Sequence, residues 1–313
     1  MIAYLIRRLL STVVVMAIVG VIVFLLLHLA PGDPATIIAG DNATAEQVAS
    51  IRKKLGLDDP LPVQFVRWGA GVVQGDLGVS IFSNIPVTTL IIQRLEPTLS
   101  LALTTISVAI VLALLAGIMA AARAGSLLDR GVMVFAVLGF SLPTFVVGYS
   151  LVYIFAMRLR WLPVQGYQTF ADGPLEWLRH LILPSITLGI AYVALIARIT
   201  RASMLDVLSE DYMRTARAKG VSNASQLTKH ALKNAAVPIV TVIGLGIALL
   251  ISGVVITETV FNLPGVGRLT VDAITRRDYP IIQGVILTFS GVYVLINLAV
   301  DLSYALFDPR IRF

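Results

Sequence analysis

Few side chains in this sequence have types and spacing that could do chemistry. There are three histidines, His28, His180 and His230, and no cysteine. A nucleophilic serine needs a base and a sharp Gly-x-Ser-x-Gly elbow, but Ser141 sits in GFSLP. None of the histidines falls in an HExxH pattern, which would set two zinc ligands one helical turn apart with a general base between them. Ser141 is expected to satisfy helix backbone near a kink at Pro143, and each histidine to be structural or interfacial. Without cysteine there is no disulfide or thiolate metal site, and neither a metal nor a cofactor is expected. The sequence contains no Gly-Lys-Ser or Gly-Lys-Thr, so it lacks a P-loop to cradle nucleotide phosphates. An ion-coupled secondary transporter, the rival reading, would bury ionisable groups near the bilayer midplane. Here His28, Glu258 and Asp301 lie toward the ends of apolar runs.

The elements that must position these residues are apolar and long. The chain is 57% hydrophobic and 13% charged, with a mean hydropathy of +0.89. So few charges could not cover a globular surface, which places the chain in the membrane. Six stretches without Asp, Glu, Lys or Arg, at 9–32, 97–122, 131–157, 181–197, 234–257 and 279–300, are long enough to cross ~30 Å of hydrocarbon as helix. The fourth is the shortest and carries Pro184 and Gly189. The first follows Arg7 and Arg8 but is too long for a signal h-region and lacks a cleavage pattern, so it reads as an uncleaved helix. With the N-terminus inside, 13 of the 24 basic residues fall in inner segments. Five of the outer ones, Arg52, Lys53, Lys54, Arg67 and Arg94, lie in a long loop where positive charge has little influence on orientation. Both termini are expected in the cytoplasm.

That long outer loop carries local structure. Thr44-Ala-Glu-Gln47 is a capping box, Val48, Ile51 and Leu55 share a helical face, and Gly56 is placed to end the helix. After Pro60 and Pro62, an apolar patch of Val63, Phe65, Val66 and Trp68 leads into the turn-rich GDLGVS of 75–80. The loop reads as a folded cap on the membrane surface or a docking surface for an extracytoplasmic partner.

The charges are gathered at 210–238, EDYMRTARAKGVSNASQLTKHALKNAAVP. Ser209 is a fitting N-cap, Glu210 and Asp211 put negative charge on the first turn, and Arg217 and Lys219 put positive charge on the last. Gly220 suits the left-handed position just past the end. A helix of about ten residues, ~15 Å long, results. A second helix is expected from Ser222 or Asn223, where Asn223 and Gln226 have box-like spacing, toward Pro238. Ala216 and Ala218 keep the first helix narrow, while Leu208, Tyr212 and Met213 offer an apolar edge that a partner's groove could take. A basic loop resting on anionic lipid would also gather Lys and Arg, but would not need caps at both ends of a helix.

EDYMRTARAKG followed by KHALKNAAVP resembles the cytoplasmic loop of type I ABC importer permeases, in the form used by dipeptide and oligopeptide permeases. The resemblance continues through IRRLLSTVVVM, HLAPGDPA, KLGLDDPLPVQF, GDLGVS, ETVFNLPGVGRLTVDAITRRDYPIIQG and DPRIRF. One departure is visible: the superfamily's Glu-Ala-Ala-x-x-x-Gly would place Glu and Ala where this chain has Arg214 and Thr215, and only Ala216 and Gly220 are kept. The resemblance implies an all-α integral membrane fold of six spans with a helical extracytoplasmic loop after the first. Its parts would be an N-terminal helix at 1–30, an outer region at 31–96, a permease domain at 97–307 with a coupling loop at 201–235, and a tail at 308–313. It implies half of a translocation channel with no chemistry of its own. Its partners would be a homologous second permease subunit, two ATPase subunits, an extracytoplasmic solute-binding protein and membrane lipid, with no nucleic acid. Residues Glu210, Asp211, Tyr212, Arg214, Thr215, Ala216, Lys219 and Gly220 would couple to the ATPases. In LPGVGRL and the residues after it, Pro264, Gly265, Gly267, Arg268 and Asp278, with Arg276 and Arg277, would form an outer gate or docking point, against the plainer reading of a re-entrant turn. The cargo implied is a short peptide, with glutathione, nickel complexes or oligosaccharides as the alternatives.

Overall fold

A computed structural model of the chain describes residues 2–29, 33–39, 43–54 and 56–307. The expectations resting on Leu55, on Pro31 and Gly32 of HLAPGDPA and on DPRIRF lie outside the described residues, as do the side chains of His28 and Asp301. The helices, in chain order, are α1 Ile2–Leu29, α2 Pro34–Ala39, α3 Ala45–Lys54, α4 Leu61–Val73, α5 Val87–Ala122, α6 Leu127–Ser141 and α7 Thr144–Leu151. They continue with α8 Pro174–Ser209, α9 Asp211–Ala218, α10 Asn223–Ser225, α11 Ala236–Val260, α12 Val266–Arg276 and α13 Tyr279–Phe307. Wider π-helical turns extend α7 through Val152–Arg158 and α10 through Gln226–Leu232. Among the described residues the only β pairing is an isolated antiparallel bridge, Val79 with Pro86.

Among the described residues, α5, α8 and Tyr279–Val300 of α13 are each long and apolar enough to cross a membrane. Two bent pairs, Leu127–Ser141 with Thr144–Arg158 and Asn223–Leu232 with Ala236–Ile247, reach that length together, and Leu10–Leu26 is a shorter apolar helix. The three helices and two bent pairs overlap five of the six expected spans, and Leu10–Leu26 lies within the first, with two corrections of shape. The span expected at 131–157 is not one rod, because its halves meet at 104°. Pro143 has no N–H to give and crowds the residue before it, so Leu142 leaves the helical region for φ −81°, ψ 130°. Ser141 Oγ–H caps the damage by donating to the Val137 carbonyl at 2.8 Å. The span expected at 181–197 is only the middle of a 36-residue helix, α8. Charges at Glu176, Arg179, Arg198, Arg201 and Asp206 bound the apolar stretch without ending the helix.

The chain forms two compact units. Met1–Leu95 with Leu269–Val294 makes one. Within it, Thr44 and Gln47 form the reciprocal capping box, at 2.9 Å for Thr44 N–H to Gln47 Oε1 and 3.3 Å for Gln47 N–H to Thr44 Oγ1. Asp33 accepts from Ala35 N–H, from Thr36 Oγ and from Arg52 at 2.6 Å, tying α2 to α3. Burial pushes the Asp33 carboxyl up, but the Arg52 guanidinium and the Ala35 N–H together hold it below the ordinary carboxylate value. The apolar patch of the outer loop is helical: Phe65 and Trp68 of α4 meet Phe24 of α1 with ring centroids 5.3 and 5.7 Å apart.

The second unit is Glu96–Arg268 with Leu295–Phe313. Its larger core joins α5, α8 and α11 through Leu101, Leu181, Leu188, Val254 and Phe261. Close approach is set by small residues: a Cβ at Gly117 of α5 would lie 2.6 Å from Thr200 Cβ on α8. A smaller core of Ala121, Met204, Met213, Ala231, Ala235 and Ile239 lies under the charged stretch. Beside it, Asp129 on the first turn of α6 is buried and bound by the guanidinium of Arg201, with Arg201 Nη2 to Asp129 Oδ2 at 2.7 Å.

Candidate functional site

The charged stretch folds as a helix, a tight turn and a second helix. Helix α9 is eight residues long. Its N-cap is Glu210, which makes no side-chain cap bond; Ser209 instead ends α8 and donates its Oγ–H to the Asp206 carbonyl at 2.8 Å. The expected cap is thus displaced by one residue, because α8 continues unbroken through Ser209. At the other end Gly220 takes φ +76°. Val221 N–H reaches the Ala216 carbonyl at 3.2 Å and Gly220 N–H the Arg217 carbonyl at 3.0 Å, the paired bonds of a Schellman stop. Ser222 then caps α10, accepting from Ser225 N–H at 3.4 Å. The buried Gln226 amide closes the turn by donating to the Val221 carbonyl at 2.6 Å.

The expected apolar edge divides. Met213 is fully buried in the smaller core, while Tyr212 is 44% exposed. One anchor therefore holds α9 to its own protein, and Glu210, Asp211, Tyr212, Arg214, Thr215, Lys219 and Gly220 face outward, with Ala216 half-buried. Arg214 and Asp211 make a 3.4 Å ion pair between exposed side chains, which contributes little to stability.

The residues expected at an outer gate are divided between the two compact units. Pro264, Gly265, Gly267 and Arg268 belong to the unit with α5 and α11, and Asp278 to the other. The glycines of LPGVGRL do more than turn the chain. Glu258, at the end of α11, is fully buried. Its Oε1 accepts from Thr98 Oγ–H at 2.6 Å and its Oε2 from Arg268 N–H at 2.9 Å, while Thr98 Oγ accepts from Val266 N–H at 2.9 Å. A Cβ at Gly265 would overlap that carboxylate, and one at Gly267 would lie 2.8 Å from Val255 Cα and 3.0 Å from Glu258 Oε2. The loop and the first turn of α12 are thus wrapped around a carboxylate, where helix N–H groups favour negative charge. Arg268 turns its guanidinium to Asn262 Oδ1, Pro264 is exposed, and Asp278, 2% exposed, accepts from Ser80 Oγ–H at 2.6 Å and Ile81 N–H at 3.3 Å. Sequence reasoning gave Thr98 no role, noted Glu258 only as an acid near the end of an apolar run, and read Gln226 as pairing with Asn223 in a capping box, whereas Ser222 caps the helix and Gln226 closes the turn. The available signal was an acid at the end of an apolar run, seven residues before a Gly-x-Gly.

Residues 113–313 match the family of binding-protein-dependent transport system inner membrane components, and residues 1–102 match the N-terminal region model of such membrane components. The chain belongs to this family. The permease is 58% identical over 310 residues to the probable peptide ABC transporter permease protein y4tP of Sinorhizobium fredii (strain NBRC 101917 / NGR234), covering 99% of each chain. It is 48% identical over 313 residues to the glutathione transport system permease protein GsiC of Escherichia coli (strain K12), covering 100% of each. Among solved structures it is similar to the MetNI methionine ABC transporter in inward-facing conformations, with a TM-score of 0.57 at 16% identity over 70% of this chain and 96% of that one. A second, an amino acid ABC transporter with histidines, gives 0.50 at 17% identity over 72% and 95%. These structural likenesses show the fold, that of an ABC importer permease. The permease is a multi-pass inner-membrane component of an ATP-driven importer, a role that implies ATPase and solute-binding-protein partners.

Proposed function

We propose that this permease forms half of a channel for short peptides and that α9 with the turn at Gly220 is the joint through which partner ATPases move it. The observation that carries the second part is the division of α9: one buried anchor, Met213, and an otherwise polar, outward surface ending in a Schellman stop. A loop that only held charge near lipid would need neither the anchor nor the buried Gln226 that fixes the turn. Peptide cargo is supported by the relationship to y4tP across the whole chain. GsiC, also matched end to end, makes glutathione the competing cargo. The remaining parts of the reading are a homologous second subunit completing the channel, both termini in the cytoplasm, the division into 1–30, 31–96, 97–307 and 308–313, and no hydrolytic activity in the chain itself. In the same reading Pro264, Gly265, Gly267 and Arg268 shape the outer end of the path, and Asp278 fixes a segment that docks the binding protein.

The test is substrate uptake by vesicles holding the assembled importer, with recovery of the ATPase subunits measured in parallel. A side chain branched at Cβ at position 220 is costly at positive φ, by roughly 1 to 2 kcal/mol. Gly220→Val and Ala216→Asp are expected to lower both uptake and ATPase recovery at unchanged membrane insertion. Full uptake and full recovery in both variants would remove α9 from the coupling path. A competition series of dipeptides against glutathione decides the cargo.

A further inference from the structure

Within the compact unit formed by Met1–Leu95 and Leu269–Val294, a cavity of about 230 Å³ opens between the 80–83 turn, α5 and α12. Its polar lining carries both signs of charge: Arg94 and Arg276 on one side of the balance, Asp272 and Asp278 on the other. The two acids differ in what they can do. Asp278 is buried and already accepts from Ser80 Oγ–H and Ile81 N–H, so it fixes the 80–83 turn. Asp272 is exposed, one helical turn before the exposed Arg276, and i, i+4 spacing puts the two on one face of α12. The rest of the lining is apolar, including Leu90, Leu269 and the half-exposed Phe82.

A cleft with equal numbers of positive and negative groups does not attract a simple anion or cation. It matches a ligand that carries both charges a short distance apart. Arginine forks suit a carboxylate, and an exposed aspartate suits an ammonium group. The two ends of an extended dipeptide lie at most about 7 Å apart, the scale of neighbouring side chains on one helix face. The cavity is smaller than the about 300–1,000 Å³ of pockets that enclose a drug-sized ligand, so it would grip ends rather than engulf a chain. We propose that this cleft is a weak binding site for the free termini of a short peptide, with Arg276 receiving the carboxylate and Asp272 the ammonium. The proposal rests on the peptide-import reading and adds a place on this chain where cargo is held by its termini.

The chain has no cysteine, which makes the site directly testable. In the assembled importer in vesicles, Phe82→Cys reports on the cleft through its rate of maleimide labelling, and Val73→Cys, 88% exposed in the wild type, is a control outside the cleft lining. Millimolar alanyl-alanine is expected to slow labelling at position 82 several-fold and leave position 73 unchanged. N-acetyl-alanyl-alanine and alanyl-alaninamide should each protect less. Asp272→Asn should erase the preference for a free amine, and Arg276→Gln the preference for a free carboxylate; both replaced residues are exposed, so the fold tolerates the change. An unchanged rate with alanyl-alanine, equal slowing by all three compounds, or equal slowing at position 73 overturns the site. Slowing by peptide-free binding protein without any by alanyl-alanine makes the cleft a docking surface and also overturns it. Uptake of alanyl-alanine in the same vesicles keeps the two ideas apart. Uptake without protection removes the site alone, protection without uptake supports the site and removes peptide import, and the absence of both removes both.

Discussion

At the scale of single residues, Glu258 is a fully buried carboxylate at the end of α11. A carboxylate this deeply buried is costly unless its oxygens are satisfied. Here Thr98 Oγ–H and Arg268 N–H supply the partners, with Val266 N–H bound through Thr98. Removing the acceptor breaks the bonds that Thr98 Oγ–H and Arg268 N–H make to it, and a lost buried hydrogen bond costs about 1–3 kcal/mol. Glu258→Ala is therefore expected to lower the stability of the purified permease by at least about 2 kcal/mol, read as a fall in thermal midpoint. Glu258→Gln should fall between, because its amide keeps one acceptor oxygen but turns N–H groups toward a second donor. The steric half is tested by Gly267→Ala, whose added methyl meets backbone at Val255 and should cost about 1–3 kcal/mol as overpacking. Equal midpoints for Glu258→Ala and wild type would show that the carboxylate holds nothing together. None of this was legible beforehand. LPGVGRL reads locally as a turn, and a turn does explain glycine, but the demand on Gly265 and Gly267 comes from a side chain that folds back from the preceding helix. Local turn chemistry carries no mark of that return. Gly220 is the opposite case, since its φ of +76° follows from the helix-stop pattern alone.

At the scale of elements, α9 separates holding from docking. Met213→Ala opens a cavity in the core beneath α9 and should cost about 2–5 kcal/mol, loosening the helix from its own protein. Tyr212→Ala removes an exposed ring and should leave stability within about 0.5 kcal/mol of wild type. If α9 is the coupling element, both variants lose uptake, but only Met213→Ala also loses thermal stability. A Tyr212→Ala importer with full uptake and ATPase recovery would restrict the joint to other residues of α9. Arg214→Glu adds a second contrast: uptake should fall if that charge meets a protein partner and change little if it meets only lipid headgroups. The Asp129–Arg201 pair fixes α6 to α8, and Asp129→Ala, which leaves a partly exposed guanidinium without its carboxylate, is expected to lower the thermal midpoint. Local chemistry made some elements legible, the capping box at Thr44 and Gln47, the stops at Gly56 and Gly220 and the kink at Pro143, but not the N-cap expected at Ser209, through which α8 continues. Elements were misjudged where charge was taken to mark helix ends. Charges mark where hydrocarbon ends, and α8 continues as helix on both sides of it.

At the scale of the whole molecule, composition and charge-free run lengths were sufficient for the class, and the quoted stretches for the family. Cargo was not legible, because relatives named for peptide and for glutathione both align end to end with this sequence. Orientation is different, since it is a physical consequence of where Lys and Arg fall, and it can be tested on this chain without engineering away background thiols. Ser222 and Asn262 are both exposed, the first at the turn after α9 and the second, at φ +54°, in the loop after α11. They are joined by α10, its π-helical extension and α11, which holds 25 residues, or about 38 Å of helix, enough to cross ~30 Å of hydrocarbon. In sealed vesicles of known sidedness, an impermeant maleimide is expected to label Ser222→Cys only from the cytoplasmic face and Asn262→Cys only from the outer face. The bend of 65° between the α10 segment and α11 permits one competing arrangement, in which α11 folds back without crossing. Labelling of both positions from the same face would establish that arrangement, move the Glu258 cradle to the side of the ATPases, and overturn the assignment of LPGVGRL to the outer end of the path.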